Sequence, residues 1–138
     1  MTERDKRWLL RFENFEKAFS RLQSALKVTE EHPNDELFQA GLIQTYEFTF
    51  ELAWKTLKDY LEAEGFDVPS PRKTIRQAFQ AGYLKDGEDW LKALDDRNRT
   101  AHAYGESLAK QVIADIRNKY EPIIKDLYSF FKHESKSI

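Results

Sequence analysis

A chain of 138 residues with 41% hydrophobic and 14% aromatic side chains is long enough to bury a real core, and we expect one domain spanning 1–138. It has no cysteine, which excludes disulfides and thiolate metal sites. The net charge of −2 argues against a broadly basic nucleic-acid coat, though not against a small cationic site in a groove. The first residues are charged and lead into no apolar segment of the kind a signal peptide needs. No apolar run approaches the roughly 20 residues required to cross a bilayer, so the expectation is a cytoplasmic protein with no membrane contact.

Trp8, Phe12, Phe15, Phe19, Leu22 and Leu26 step by four and three, which lines one face of a helix expected from about Asp5 to Val28. His32-Pro33-Asn34 reads as a turn, with Asn34 as the N-cap of the next helix. That second helix, Asp35 to about Glu64, is the longest and ends at Gly65. Its apolar residues cover more than one face, as expected of a helix central in a bundle or shared with a second subunit. Gly41 inside it marks either a close helix contact or a flexible point.

Ser70-Pro71 is the pattern of an N-cap followed by a first-turn proline, opening a short helix from Arg72 to Ala81 that Gly82 stops. Asp86 is placed to cap a fourth helix that turns Trp90, Leu91 and Leu94 inward. Ser107 is the expected cap of the last helix, whose stripe runs Leu108, Val112, Ile116, Tyr120, Ile123, Leu127 and Phe131 or Phe130. Pro122 should kink it. Nothing reads as a strand. The expected fold is all-α, an up-and-down four-helix bundle with an additional short helix.

His32, His102 and His133 lie far apart with no paired-ligand spacing, so no metal site is signalled and no cofactor is expected. Phosphate-binding glycine loops and nucleophile elbows are missing as well. The segment dense in chemistry is Asp95-Asp96-Arg97-Asn98-Arg99-Thr100-Ala101-His102-Ala103-Tyr104, where helix four should give way to helix five. On an unbroken helix Arg97 and His102 would stand roughly 140° apart, so they converge only if the helix ends between them or a partner's copy completes the site. Arg97 suits a phosphate, because a guanidinium forks onto two oxygens. His102 can move a proton near neutral pH. Together they are a minimum for metal-free RNA cleavage, and two copies in a dimer would supply both an acid and a base. The plainer alternative is that Arg97 bridges to Asp95 or Asp96 and His102 caps a helix end.

The spacing Arg97-Asn98-x-x-x-His102-x-Tyr104 resembles the Arg-x4-His-x-Tyr motif of the HepT branch of the HEPN superfamily, which includes the nucleotidyltransferase substrate-binding subunits. Tyr46-Glu47-Phe48-Thr49-Phe50-Glu51-Leu52-Ala53-Trp54-Lys55 is similar to the family's Glu-rich helix, and Ser70-Pro71-Arg72 matches in order. The resemblance runs from Phe12 to Leu127. It implies a helical bundle that pairs as a homodimer and a partner, a minimal nucleotidyltransferase (MNT) encoded nearby. It further implies a metal-independent RNase toxin with Arg97 and His102 as catalytic residues and Asn98 in support. The partner would neutralise it by attaching AMP to Tyr104, adding charge and bulk beside His102. The other reading the resemblance leaves open is a non-catalytic subunit that presents RNA or a nucleotide to the nucleotidyltransferase.

Glu47 and Glu51, one turn apart on one helix face, either meet Arg97, Arg99 or Lys55 and orient the motif, or form a solvated acidic stripe. Tyr104 has a packing role as its alternative. Arg72, Lys73 and Arg76 form either a solvated face or a contact for RNA or a partner.

Overall fold

The computed structural model describes residues 2–138. Helix α1 (Glu3–Glu31) begins two residues earlier than expected. The reason is a capping box: Thr2 Oγ1 accepts from the Asp5 N–H while Asp5 reaches back to the Thr2 N–H. Helix α2 (Glu36–Ala63) is capped by Asp35 rather than Asn34, its carboxylate accepting from the Leu37 and Phe38 N–H groups at 2.9 and 3.1 Å. A carboxylate at this position meets both free donors and the positive end of the helix dipole. Gly65 stops the chain in the left-handed region at φ 98°.

Helix α3 (Pro71–Gln80) starts as expected, with Ser70 Oγ accepting from the Lys73 N–H at 3.3 Å. Helix α4 (Gly87–Thr100) has Asp86 at its N-cap position, but that side chain makes no capping bond. A Cβ at Gly87 would lie 2.9 Å from the Phe79 ring, so a larger residue there would force that ring to shift. Gly105, not Ser107, is the N-cap of α5 (Glu106–Asp115). Helix α5 continues through a π-turn, Ile116–Tyr120, directly into α6 (Glu121–Lys136). Just before Pro122, where a kink is expected, the helix carries this π-turn. Proline has no N–H and its ring would press on the carbonyl one turn back. The wider turn, closed by the Glu121 N–H on the Ile116 carbonyl, precedes it and relieves that crowding.

The described residues contain no strand, and the fold is all-α as the periodicity predicts. α1 and α2 run antiparallel in the largest helix contact, Trp8 edge-on to Tyr60 at one end and Thr49 Oγ1 donating to the Ala18 carbonyl further along. α4 and the α5–α6 helix close the bundle, with α3 packed on α2 and α4. One end of the core is an aromatic group of Trp8, Phe12, Tyr60 and Phe131. The other holds Tyr46 stacked on Tyr120 at 5.6 Å and Phe50 against Trp90 at 5.7 Å. Burying each such ring contributes roughly 1.5–3 kcal/mol. Leu91 is only partly buried. Phe131 takes the core position at the end of the last stripe, and Phe130 packs at its edge. Gly41 faces open space, with nothing within 4 Å of an added Cβ, so of its two readings the close helix contact is not made among the described residues. No helix among the described residues is long and apolar enough to cross a membrane.

Candidate functional site

Three consecutive residues near the end of α4 are tied to three different elements. Asp95 accepts from Arg72 of α3 at 2.7 Å. Asp96, buried, accepts from the Tyr120 hydroxyl in the π-turn and from Arg99 at 2.7 Å. Arg97 donates through Nη2 to Glu51 Oε2 of α2 at 2.5 Å and through Nη1 to Asn98 Oδ1 at 3.0 Å. The end of α4 is therefore held from three sides. The plainer expectation, Arg97 bridging to Asp95 or Asp96, is not what forms, because both carboxylates are engaged elsewhere.

Glu51 is the junction of this arrangement. Its Oε2 also accepts from Trp54 Nε1 at 3.0 Å, and its Oε1 pairs with Lys55 at 3.1 Å. Burial pushes the Glu51 carboxyl up, but the hydrogen bonds from Trp54 and Lys55 and the charges of Arg97 and Lys55 outweigh it and hold it below its ordinary value. Glu47, one turn earlier, faces Thr100, whose hydroxyl donates to Oε2 at 3.2 Å. Burial raises the Glu47 carboxyl, and the Thr100 bond with the nearby Arg97 charge offsets it only in part. The pair is thus not a solvated stripe: Glu51 meets Arg97 and Lys55, Glu47 meets Thr100, and Arg99 turns to Asp96 instead.

Beneath these residues Tyr46 donates to the Ala93 carbonyl at 2.6 Å. Burial raises the hydroxyls of Tyr46 and Tyr120, with the Asp96 hydrogen bond adding to the effect at Tyr120, so both remain protonated donors. Sequence reasoning misses Trp54, Thr100 and Tyr120 as members of this site. Trp54 was legible, since Glu51 and Trp54 are one turn apart. Tyr120 was not, because its partner lies 24 positions away.

α4 ends at Thr100 with Ala101 as C-cap, so the helix does stop between Arg97 and His102. His102 lies in the exposed connection to α5 and caps nothing. Tyr104 is half-buried and lines a cavity of about 200 Å³ with Gln39, Ala40 and Ile43 of α2. Every buried side-chain polar atom among the described residues has a hydrogen-bond partner, yet the Tyr104 hydroxyl bonds to none of them. Its ring packs while its oxygen is left accessible. Among the described residues no hydrogen bond or ion pair joins the side chains of Arg97, His102 and Tyr104. Arg72 is paired with Asp95, while Lys73 and Arg76 line a groove between α3 and α4.

Residues 10–133 match the sequence profile of a family described as nucleotidyltransferase substrate binding protein like. A "Probable ribonuclease HepT" of Haemophilus influenzae is 32% identical over 82 residues, 56% of this chain and 56% of that protein. The chain thus spans about half the length of this curated relative. Among solved structures, a Thermus thermophilus protein is 32% identical, with a TM-score of 0.73 over 83% of this chain and 96% of that one. A Haemophilus influenzae protein, described as having the fold of a substrate binding domain of a nucleotidyltransferase, is 22% identical and shares the fold. Its TM-score is 0.74 over 88% of this chain and 98% of that one.

Proposed function

The chain belongs to the nucleotidyltransferase substrate binding protein like family, and from that premise we propose that it is a metal-independent RNase acting in the cytoplasm as the toxin partner of a minimal nucleotidyltransferase. Arg97 grips the scissile phosphate and stabilises the charge that builds on it. His102 takes the proton of the attacking 2′-hydroxyl, and the His102 of a second copy gives one to the leaving oxygen. Asn98, bonded to Arg97, and Glu47 and Glu51 support the motif. The observation carrying this reading is that α4 stops between Arg97 and His102, leaving the guanidinium braced from α2 and the imidazole exposed.

A homodimer is favoured by the outer face of α2, where Leu37 is 80% and Phe48 56% exposed, with the open Gly41 between them at helical spacing. The partner's control acts at Tyr104: attack of its accessible hydroxyl on the α-phosphate of ATP, with loss of the phenol proton and departure of pyrophosphate, leaves a phosphate and a nucleoside two positions from His102 and repels RNA.

One observation favours a second reading, a non-catalytic subunit that presents RNA or a nucleotide to the nucleotidyltransferase: the Arg97 guanidinium is already engaged by Glu51 and Asn98. Expression of the chain alone in a bacterial host separates the two. Growth arrest abolished by His102→Ala and by Arg97→Ala supports the RNase. Harmless expression, with no RNA cleavage by the purified protein, overturns it in favour of the presenting subunit.

A further inference from the structure

The groove between α1 and α2 bears charge opposite in sign to that of the chain as a whole. Arg7, Arg11, Lys55 and Lys58 line it against two carboxylates, Asp59 and Glu62, in a cavity of about 460 Å³. Over the whole sequence the balance is −2. Arg4 extends the row, anchored by Nη1 on the Glu62 carbonyl at 3.1 Å. Arg4, Arg7 and Arg11 recur at three- and four-residue spacing and share a face of α1, as Lys55 and Lys58 do on α2.

The groove leads to the candidate site. Lys55 shares the Glu51 carboxylate with Arg97, and Trp54 lines the groove while donating to that carboxylate. The stretch of α2 that the groove follows, from Glu51 to Glu62, is about 16 Å long at the rise of an α-helix. Arg7 is exposed and has no ion pair among the described residues. Lys58 pairs only with the partly exposed Glu62, a kind of bond worth little and readily exchanged for a phosphate.

We infer that the α1–α2 groove is the track for the backbone of single-stranded RNA running away from Arg97, with Arg7 and Lys58 meeting phosphates and Arg11, held by Asp59 at 3.0 Å, adding to the positive wall. This rests on the RNase reading and adds where its substrate lies. The contacts are electrostatic, so the track binds strands of any sequence, with an affinity that falls as salt rises.

The test uses the full chain carrying His102→Ala, to prevent cleavage, and a labelled single-stranded RNA oligonucleotide titrated at several salt concentrations. Arg7→Gln with Lys58→Gln leaves the Arg11 pair with the buried Asp59 intact. It should weaken binding at least about tenfold and flatten the salt dependence by about 1.4 log units per log unit of salt, at about 0.7 per phosphate contact. Lys73→Gln with Arg76→Gln removes the same charge from the α3 groove and should change neither by as much. Equal effects from the two pairs, or no RNA binding at all, overturn the track. So does unchanged RNA binding with lost association to the nucleotidyltransferase, which would make the groove a protein interface. The same pairs in the otherwise unaltered chain keep the two readings apart. RNA bound in the groove but never cleaved sinks the RNase and leaves the track, whereas cleavage with an unchanged KM does the reverse.

Discussion

Arg97 and Glu51, 46 positions apart, meet at 2.5 Å, and the same carboxylate holds Lys55 on its other oxygen. One acid on α2 therefore aims the motif cation on α4 and joins it to the basic groove. Glu51→Gln keeps an acceptor but removes the charge. RNA cleavage should fall about tenfold or more, with stability lower by about 1 kcal/mol, as expected for a partly buried charged hydrogen bond. Cleavage assays and urea unfolding check the two parts. Full activity in the variant would mean that Glu51 does not position Arg97.

Asp96 and Tyr120 tie α4 to the π-turn from inside the core. Tyr120→Phe leaves the buried Asp96 carboxylate with Arg99 alone and should cost about 1–3 kcal/mol. A double-mutant cycle with Asp96→Asn should return a coupling above about 0.5 kcal/mol. Additive losses would deny the link.

The two acids on α2 should respond oppositely to pH. Glu51 lies below its ordinary value when folded. Its contribution is present above the unfolded value of about 4.5 and lost as pH falls through the lower folded one. Glu47 lies above its ordinary value. Its contribution is present below about 4.5 and lost as pH rises through the folded value. Thermal melts of Glu47→Gln should therefore match or exceed those of the parent at pH 7 and lose that advantage toward pH 4. Glu51→Gln should trail the parent at pH 7 and converge with it in acid.

Phe48 on α2 is 56% exposed. Phe48→Asp should shift the protein from dimer to monomer by sedimentation while leaving its helical circular dichroism intact. A parent chain that sediments as a monomer would remove this face from the account.

Among the described residues the Tyr104 hydroxyl has no hydrogen-bond partner, and its ring is half-buried. Tyr104→Phe should preserve stability within about 0.5 kcal/mol, as for a change that strands no buried group. It should also escape AMP addition when co-expressed with the nucleotidyltransferase, detected by intact-mass measurement. A variant still modified, or still fully neutralised, points to another residue or to occlusion.

Periodicity and turn chemistry set the helices here, because both are local: the four-and-three step of Trp8 to Leu22, Ser70-Pro71 and Gly65 each act within a turn or two of chain. Errors of detail fell where several capping residues competed, as at Asn34 against Asp35 and Ser107 against Gly105, since small differences in backbone geometry choose between them. The concentration of charged and polar side chains from Arg97 to Tyr104 was legible in the sequence too. What each touches was not. Asp95, Asp96 and Arg97 are adjacent in sequence, and nothing in their spacing says that they reach α3, the π-turn and α2. Packing makes that choice, because successive residues on a helix point about 100° apart and each finds whatever element the bundle has put on its side. Which charges the segment carries is written in the order of its residues; that Glu51 is the acid holding its arginine follows only from α2 lying against α4.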